Sequence, residues 1–192
     1  MDVNVKDIPG EWDLGYSLDW QTLSSIPIGH NAYGYMQYET TRPPIGEALF
    51  QLKYRSDYSQ IPLIAAQMAT TLAERFQNTS LVIPMPASRV RARQPVAEIA
   101  REYARIMGLP CIENLLVKTT PTAALKDMRT KEEREAALLN AFTCNNVLVE
   151  GTHNVLIIDD LYDTGASLEA ATRVLRSYPR VGQIYVATVT RR

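Results

Sequence analysis

Two adjacent carboxylates followed at once by small hydroxyl residues form the most chemically pointed stretch of this chain. It reads Val155-Leu156-Ile157-Ile158-Asp159-Asp160-Leu161-Tyr162-Asp163-Thr164-Gly165-Ala166-Ser167. The apolar run reads as a buried strand that carries Asp159 and Asp160 to the edge of a sheet. Leu161 to Ser167 then make a short loop that opens a helix. A helix start offers unpaired N–H groups and about half a positive elementary charge, which favours a phosphate. Gly165 lets the backbone approach that phosphate without a Cβ in the way. Thr164 and Ser167 add hydroxyl donors. Asp159 and Asp160 repel a phosphate, so they make sense if the same ligand also carries hydroxyls or a nearby metal. A ribose 5-phosphate meets both demands.

The elements that must position this loop are legible in the periodicity. Residues 1–60 hold both tryptophans and six of the ten tyrosines between turn-forming Gly and Pro residues, which predicts strands and hairpins in an irregular N-terminal cap. Gly46–Lys53 reads as a short helix. The core is expected over 61–192. Ile61–Gln77 has helical spacing, Ser80–Pro84 reads as a buried strand, and Pro95–Met107 is a helix with Pro at its start and Gly108 after its end. Cys111–Val117 reads as a strand, Lys131–Asn140 as a charged helix, Val155–Asp159 as a strand, Ser167–Ser177 as a helix and Gln183–Val189 as a last strand. This alternation predicts an α/β fold, a mostly parallel central sheet flanked by helices. Ligands in such sheets bind beyond the carboxyl ends of the strands, here after Ile83, Val117 and Asp159.

The acidic pair followed by Asp163-Thr164-Gly165-Ala166-Ser167 resembles the ribosyl-diphosphate signature of the type I phosphoribosyltransferases. Leu49–Asp57, Ile83–Ala87, the Arg89–Arg93 cluster and Glu133-Arg134 with Ala141-Phe142 follow in the order found in the ComF-like branch of that family. The resemblance covers most of residues 45–190. The N-terminal four-cysteine zinc ribbon common in that branch is absent. The usual R-G-F-N-Q stretch is replaced by Arg93-Gln94-Pro95-Val96. A Gln expected in the segment 119–152 is replaced by Ala123 and an Asn by Ala137.

The resemblance implies the type I phosphoribosyltransferase fold and 5-phosphoribosyl 1-diphosphate as substrate with Mg2+. It implies transfer of the phosphoribosyl group to a nitrogen nucleophile, such as a nucleobase, with release of diphosphate. Asp159 and Asp160 would hold the ribose hydroxyls, and the metal directly or through water and substrate. The loop from Asp159 through Leu161, Tyr162, Asp163, Thr164, Gly165 and Ala166 to Ser167 would take the 5-phosphate. Met85, Pro86, Ala87 and Ser88, with Arg89 and Arg93, would take the diphosphate, since Arg presents a fork suited to phosphate. Asp163 matches the residue placed near the incoming nucleophile, where it can accept a proton. The segment Thr119–Thr152 would act as a hood, with Lys118, Thr119, Thr120 and Lys126 reaching inward.

The acceptor is not legible. Little chain follows the last strand, so an acceptor pocket is expected to borrow from Trp12, Tyr16, Trp20, Tyr33, Tyr35 and Tyr38, which can either stack on a base or pack the cap. Two other functions stay open. One is a binding protein that senses the ribosyl diphosphate, suggested by Ala123 and Ala137. The other is a DNA-processing accessory of the ComF type. The net charge of -1 argues against nucleic acid as a partner, although 15 of the 20 basic residues are Arg. Cys111 and Cys144 lie in no ligand-spaced cluster, and His30 and His153 are isolated, so a zinc site is not expected. No signal-like start and no membrane-spanning apolar run is seen, which places the chain in the cytoplasm and away from membranes. A homodimer is compatible with everything above.

Overall fold

The computed structural model describes residues 1–87, 92–119 and 141–192. Its centre is a five-stranded sheet in the order β1-β2-β9-β8-β5. The strands are β1 (Lys6–Asp7), β2 (Leu14–Trp20), β5 (Leu81–Pro84), β8 (His153–Tyr162) and β9 (Val181–Arg191). β2, β9, β8 and β5 run parallel, and β1 is an antiparallel edge. Two smaller ribbons stand beside it: β3 (Ser24–His30) with β4 (Met36–Thr41), and β6 (Leu116–Lys118) with β7 (Phe142–Cys144).

The apolar run of β8 is explained by cover on both faces. Leu156 and Ile158 lie in one core with α1 (Pro44–Arg55), α2 (Gln60–Leu72) and α3 (Pro95–Met107). Val155 and Ile157 lie in a second core with α4 (Ala166–Arg176), Trp12, Leu116 and Phe142. Each fully buried aliphatic side chain there contributes roughly 1.5–3 kcal/mol. The chain therefore leaves β5 into α3 on one face and leaves β8 into α4 on the other. Such a switch opens a crevice at the carboxyl ends of the two strands.

Several expected elements are adjusted. β8 extends through both aspartates to Tyr162, because β9 still pairs with it as far as Tyr162↔Arg191 after β5 has ended. Cys111–Val117 is not one strand. Cys111 makes an isolated bridge to Val82, a turn at Glu113-Asn114 follows, and β6 begins only at Leu116. The long helix predicted to Gln77 stops at Leu72 and tightens into a 3-10 turn over Ala73–Phe76. The charged helix at Lys131–Asn140 lies outside the described residues. Within residues 1–60, β2 is an inner strand of the sheet, and Ile8, Trp12, Leu18 and Leu49 are core. Among the described residues, only the β3–β4 hairpin stands out as an appendage. No helix among the described residues is long and apolar enough to cross a membrane.

Candidate active site

A cleft of about 450 Å3 occupies the crevice between β5 and β8. Residues from all three strand exits line it: Pro84 to Ala87 after β5, Lys118 at the end of β6, and Asp159, Asp160 and Leu161 on β8. Ser167 of α4, Gln94 to Ala97 at the start of α3, Glu113, and Lys53 of α1 complete the wall. The volume is that of an ordinary small-molecule site.

Asp160 shares its strand face with Ile158, toward α1, and its Oδ2 meets Lys53 Nζ at 2.5 Å. Lys53 is held there by the buried face of α1, where Leu49 and Leu52 are core. The backbone carbonyl of Asp160 accepts from Thr190 Oγ1 at 2.9 Å, which pins the strand to β9. Asp159 accepts from the Asp160 backbone N–H at 2.8 Å. Burial first, and then the charge of Asp160, push the Asp159 carboxyl well above the usual carboxylate range; Lys53 and Lys118 pull the other way. Lys118 is itself held below its ordinary value by burial, with Asp159 opposing.

The loop beyond β8 leaves the start of α4 open. Gly165 is the N-cap at φ 80, and no side chain caps the helix. Thr164 Oγ1 makes only a long 3.4 Å contact with the Ala166 N–H. The loop is braced from outside. Tyr162 donates its hydroxyl to the Pro9 carbonyl at 3.1 Å and meets Trp12 edge-on at 6.3 Å. Asp163 is exposed and lies 3.5 Å from Arg192 Nη1. Gly165 has a further constraint. A Cβ there would come 3.0 Å from Tyr162 Cε2, in a left-handed conformation that side chains rarely take. Gly165→Ala is therefore expected to cost about 1–2 kcal/mol, read as a lower melting temperature, because the left-handed residue carries that penalty.

No family model matches the chain. Among curated proteins it matches competence protein ComFC of Bacillus subtilis (strain 168), 26% identical over 148 residues, which is 76% of this chain and 59% of that protein. The chain thus spans less than two thirds of the length of that relative. Among solved structures it superposes on the glutamine phosphoribosylpyrophosphate amidotransferase from B. subtilis with a TM-score of 0.50 at 17% identity, over 82% of this chain and 34% of that one. The chain has the type I phosphoribosyltransferase fold and is similar in sequence to a ComF protein. Adenine phosphoribosyltransferase from Saccharomyces cerevisiae superposes with a TM-score of 0.49 at 13% identity, over 88% of this chain and 85% of that one.

In this phosphoribosyltransferase fold, the residues singled out in the sequence divide into three groups. Met85, Pro86, Ala87, Lys118, Asp159, Asp160, Leu161 and Ser167 meet in the cleft. Tyr162, Asp163, Thr164, Gly165 and Ala166 form the loop at its rim. Arg93 pairs its guanidinium with both oxygens of Glu98, lies 3.6 Å over the Tyr58 ring and is not among the residues lining the cleft. Ser88, Arg89, Arg91, Thr120 and Lys126 lie outside the described residues. Trp12 and Tyr16 pack inside the molecule, while Tyr33, Tyr35 and Tyr38 stand on the exposed hairpin, away from the cleft.

Lys53 was missed as a site residue. Its signal was present in Leu49–Asp57, where it is the basic residue flanked by the buried Leu52 and an exposed Tyr54. Arg191 and Arg192 are also more than a basic tail. Arg191 is buried against Trp20 and donates to the Asn4 carbonyl at 2.8 Å, and Arg192 bonds Gln21 at 3.0 Å as well as Asp163.

Proposed function

We propose that this protein binds 5-phosphoribosyl 1-diphosphate with Mg2+ and transfers the phosphoribosyl group to a nitrogen nucleophile. The observation that carries the reading is the pairing, in one cleft, of two adjacent carboxylates with an uncapped helix start. The carboxylates suit ribose hydroxyls, and the helix start suits the 5-phosphate. In the reaction the C1–oxygen bond to diphosphate breaks, a C1–nitrogen bond forms, and the nucleophile loses a proton. Asp163, exposed at the rim, is the carboxylate available to accept that proton. The Met85 N–H is already donated to the Ile158 carbonyl at 2.8 Å and Pro86 has none, so the Ala87 backbone N–H is the candidate in this segment for the departing diphosphate, where charge grows as the bond breaks.

The donor set fits Mg2+ when the substrate supplies the remaining oxygens. Mg2+ is commonly held by one or two carboxylates plus phosphate, not by a protein cage. Asp159 and Asp160 are hard oxygen donors of that kind, and no group of three candidate metal ligands exists among the described residues. The ion would neutralise charge on the diphosphate. Lys53 must then give up its contact with Asp160, which the ion's charge makes acceptable.

A smaller hollow of about 200 Å3 shares Lys53 with the cleft and is lined by Arg42, Phe50, Tyr54, Gln21 and Arg192. Its aromatic and cationic wall supports reading it as the acceptor's side of the site. A second reading, a sensor that binds without turnover, is favoured by the engagement of Arg93 with Glu98 and Tyr58.

Titration calorimetry with the ribosyl diphosphate is expected to show binding that requires Mg2+. Diphosphate release with a panel of nucleobases, amines and carboxylated heterocycles is then expected with at least one acceptor. Binding without release across the panel would select the sensor, and absence of binding would dismiss both.

A further inference from the structure

The cleft and the smaller hollow meet at one side chain. Lys53 lines both of them. It sits in the last turn of α1, where the negative end of the helix dipole favours a cation. Its ammonium lies 2.5 Å from Asp160 Oδ2. The two side chains are only 19% and 17% exposed, so salt and water screen the pair little. The acidic pair thus has a counter-ion supplied by the chain itself, on the carboxylate assigned above to ribose and metal.

On the side of the hollow, Lys53 meets no second anion. The hollow is lined by two further cations, Arg42 and Arg192, and by no carboxylate among the described residues. The acids that accompany those arginines are engaged: Glu47 pairs with Arg42 at 3.2 Å, and Asp163 lies 3.5 Å from Arg192. If a bare divalent ion took Asp160, the ammonium would be left between that ion and two guanidiniums. An unpaired charge in a mostly buried place is costly. A divalent ion that arrives with a polyphosphate brings the missing anion with it.

We propose that Lys53 is a resident counter-ion that keeps a bare divalent cation off Asp160 and yields only to one carried by the phosphates of the ligand. This rests on the reading that Asp160 serves the metal-bound ribosyl diphosphate. Lys53 is then a positioning residue with two partners in turn, Asp160 before binding and a phosphate oxygen of the ligand after it. Metal and ribosyl diphosphate are thereby made to bind together, and by linkage each strengthens the other by the same factor.

Titration of the protein with Mn2+ alone, followed by the paramagnetic resonance of the free ion and with no phosphate present, tests this. Mn2+ takes the oxygen ligands that Mg2+ takes. The wild-type chain is expected to bind it weakly. Lys53→Met keeps the length of the stem and drops the charge, and it is expected to bind Mn2+ at least about 10-fold more tightly, within the usual range of a coupling between sites. Mn2+ should then raise the melting temperature of Lys53→Met more than that of the wild type. Lys53→Gln, neutral but polar, should show the same gain, so instability of one variant does not end the test. Lys53→Arg keeps the charge and should stay close to the wild type. Adding Asp160→Asn to Lys53→Met should abolish the gain. Neutral variants that bind Mn2+ no better than the wild type would overturn the proposal. So would a Lys53→Arg chain that gains as much as Lys53→Met, or a gain that survives Asp160→Asn. Calorimetry of the wild type with Mg2+ and the ribosyl diphosphate separates two failures. If the wild type binds the ribosyl diphosphate while the neutral variants gain nothing for Mn2+, the role of Lys53 falls alone. If the wild type binds none at any Mg2+ concentration, the functional reading falls and takes this role with it.

Discussion

Asp159→Asn is expected to stabilise the fold at neutral pH while weakening Mg2+-dependent binding of the ribosyl diphosphate. Burial, and then the charge of Asp160, raise this carboxyl above its ordinary value. The folded chain therefore holds a proton that the unfolded chain releases near pH 4. Stability linked to that proton is complete below the unfolded value and is lost as pH rises toward the folded one. An amide has no such proton to lose. The variant should match the wild type at acid pH and exceed it by about 1 kcal/mol at neutral pH, or roughly 2–4 °C in melting temperature. Binding should fall about 10–100-fold, because an amide cannot lose a proton to give the anionic oxygen that Mg2+ would select. Asp160→Asn should behave in the opposite sense for stability. It leaves Lys53 partly buried without its anion, and the melting temperature should drop. Thermal melts from acid to neutral pH, paired with calorimetry, separate the two positions. A lower melting temperature for Asp159→Asn at neutral pH would show that its carboxylate is structural.

Trp12→Ala is expected to be the most damaging single substitution outside the sheet. Trp12 lies in the core beside Ile8, Ile157 and Leu168. Its Nε1 donates to the Ile8 carbonyl at 2.9 Å. Its ring sits so close over Gly10 and Gly15 that a Cβ at either would fall within 2.3 Å of it. Removing it leaves a cavity and should cost about 3–5 kcal/mol. At roughly 2–4 °C per kcal/mol, the melting temperature should fall by about 10 °C. The loss should also reach the site. Trp12 braces Tyr162, whose hydroxyl bonds Pro9 at the root of the loop before α4. Ligand affinity should weaken even at temperatures where the variant is folded. Differential scanning calorimetry and titration at low temperature read the two effects separately.

The contrast between these positions says what a sequence can reveal. The loop from Asp159 to Ser167 was readable because its chemistry is local: carboxylates, Gly and hydroxyls lie within nine consecutive residues. α3 was readable because Pro95 and Gly108 mark its ends and Ile99, Ala100 and Tyr103 share a face. Lys53 was not readable as a partner of Asp160, since their meeting depends on how α1 lies against the sheet. β2 was read as part of a cap because Leu14-Gly15-Tyr16-Ser17-Leu18-Asp19-Trp20 mixes small and polar residues among aromatics. Its partner, β9, is nowhere near it in sequence. Asp19 is buried there because it accepts from the backbone N–H groups of Asn4 and Trp20, a solution that no spacing announces. Arg93 has a partner that its place after a strand did not announce: Glu98 lies one helical turn into α3 and takes both arms of the guanidinium.

The pairing of β2 with β9 has a consequence in time. Tyr16 and Ser17 bond against Ala187 and Thr188, so the strand emerges from the ribosome about 170 residues before its neighbour exists. At 5–20 residues per second that wait is roughly 10–30 s. Throughout it, Leu18 and Trp12 have no sheet to enter, and the first helices must collapse on one another with their sheet-facing sides uncovered. Long-range parallel pairing of this kind also slows refolding from denaturant. The nascent chain is thus most exposed to aggregation just before its final strand arrives.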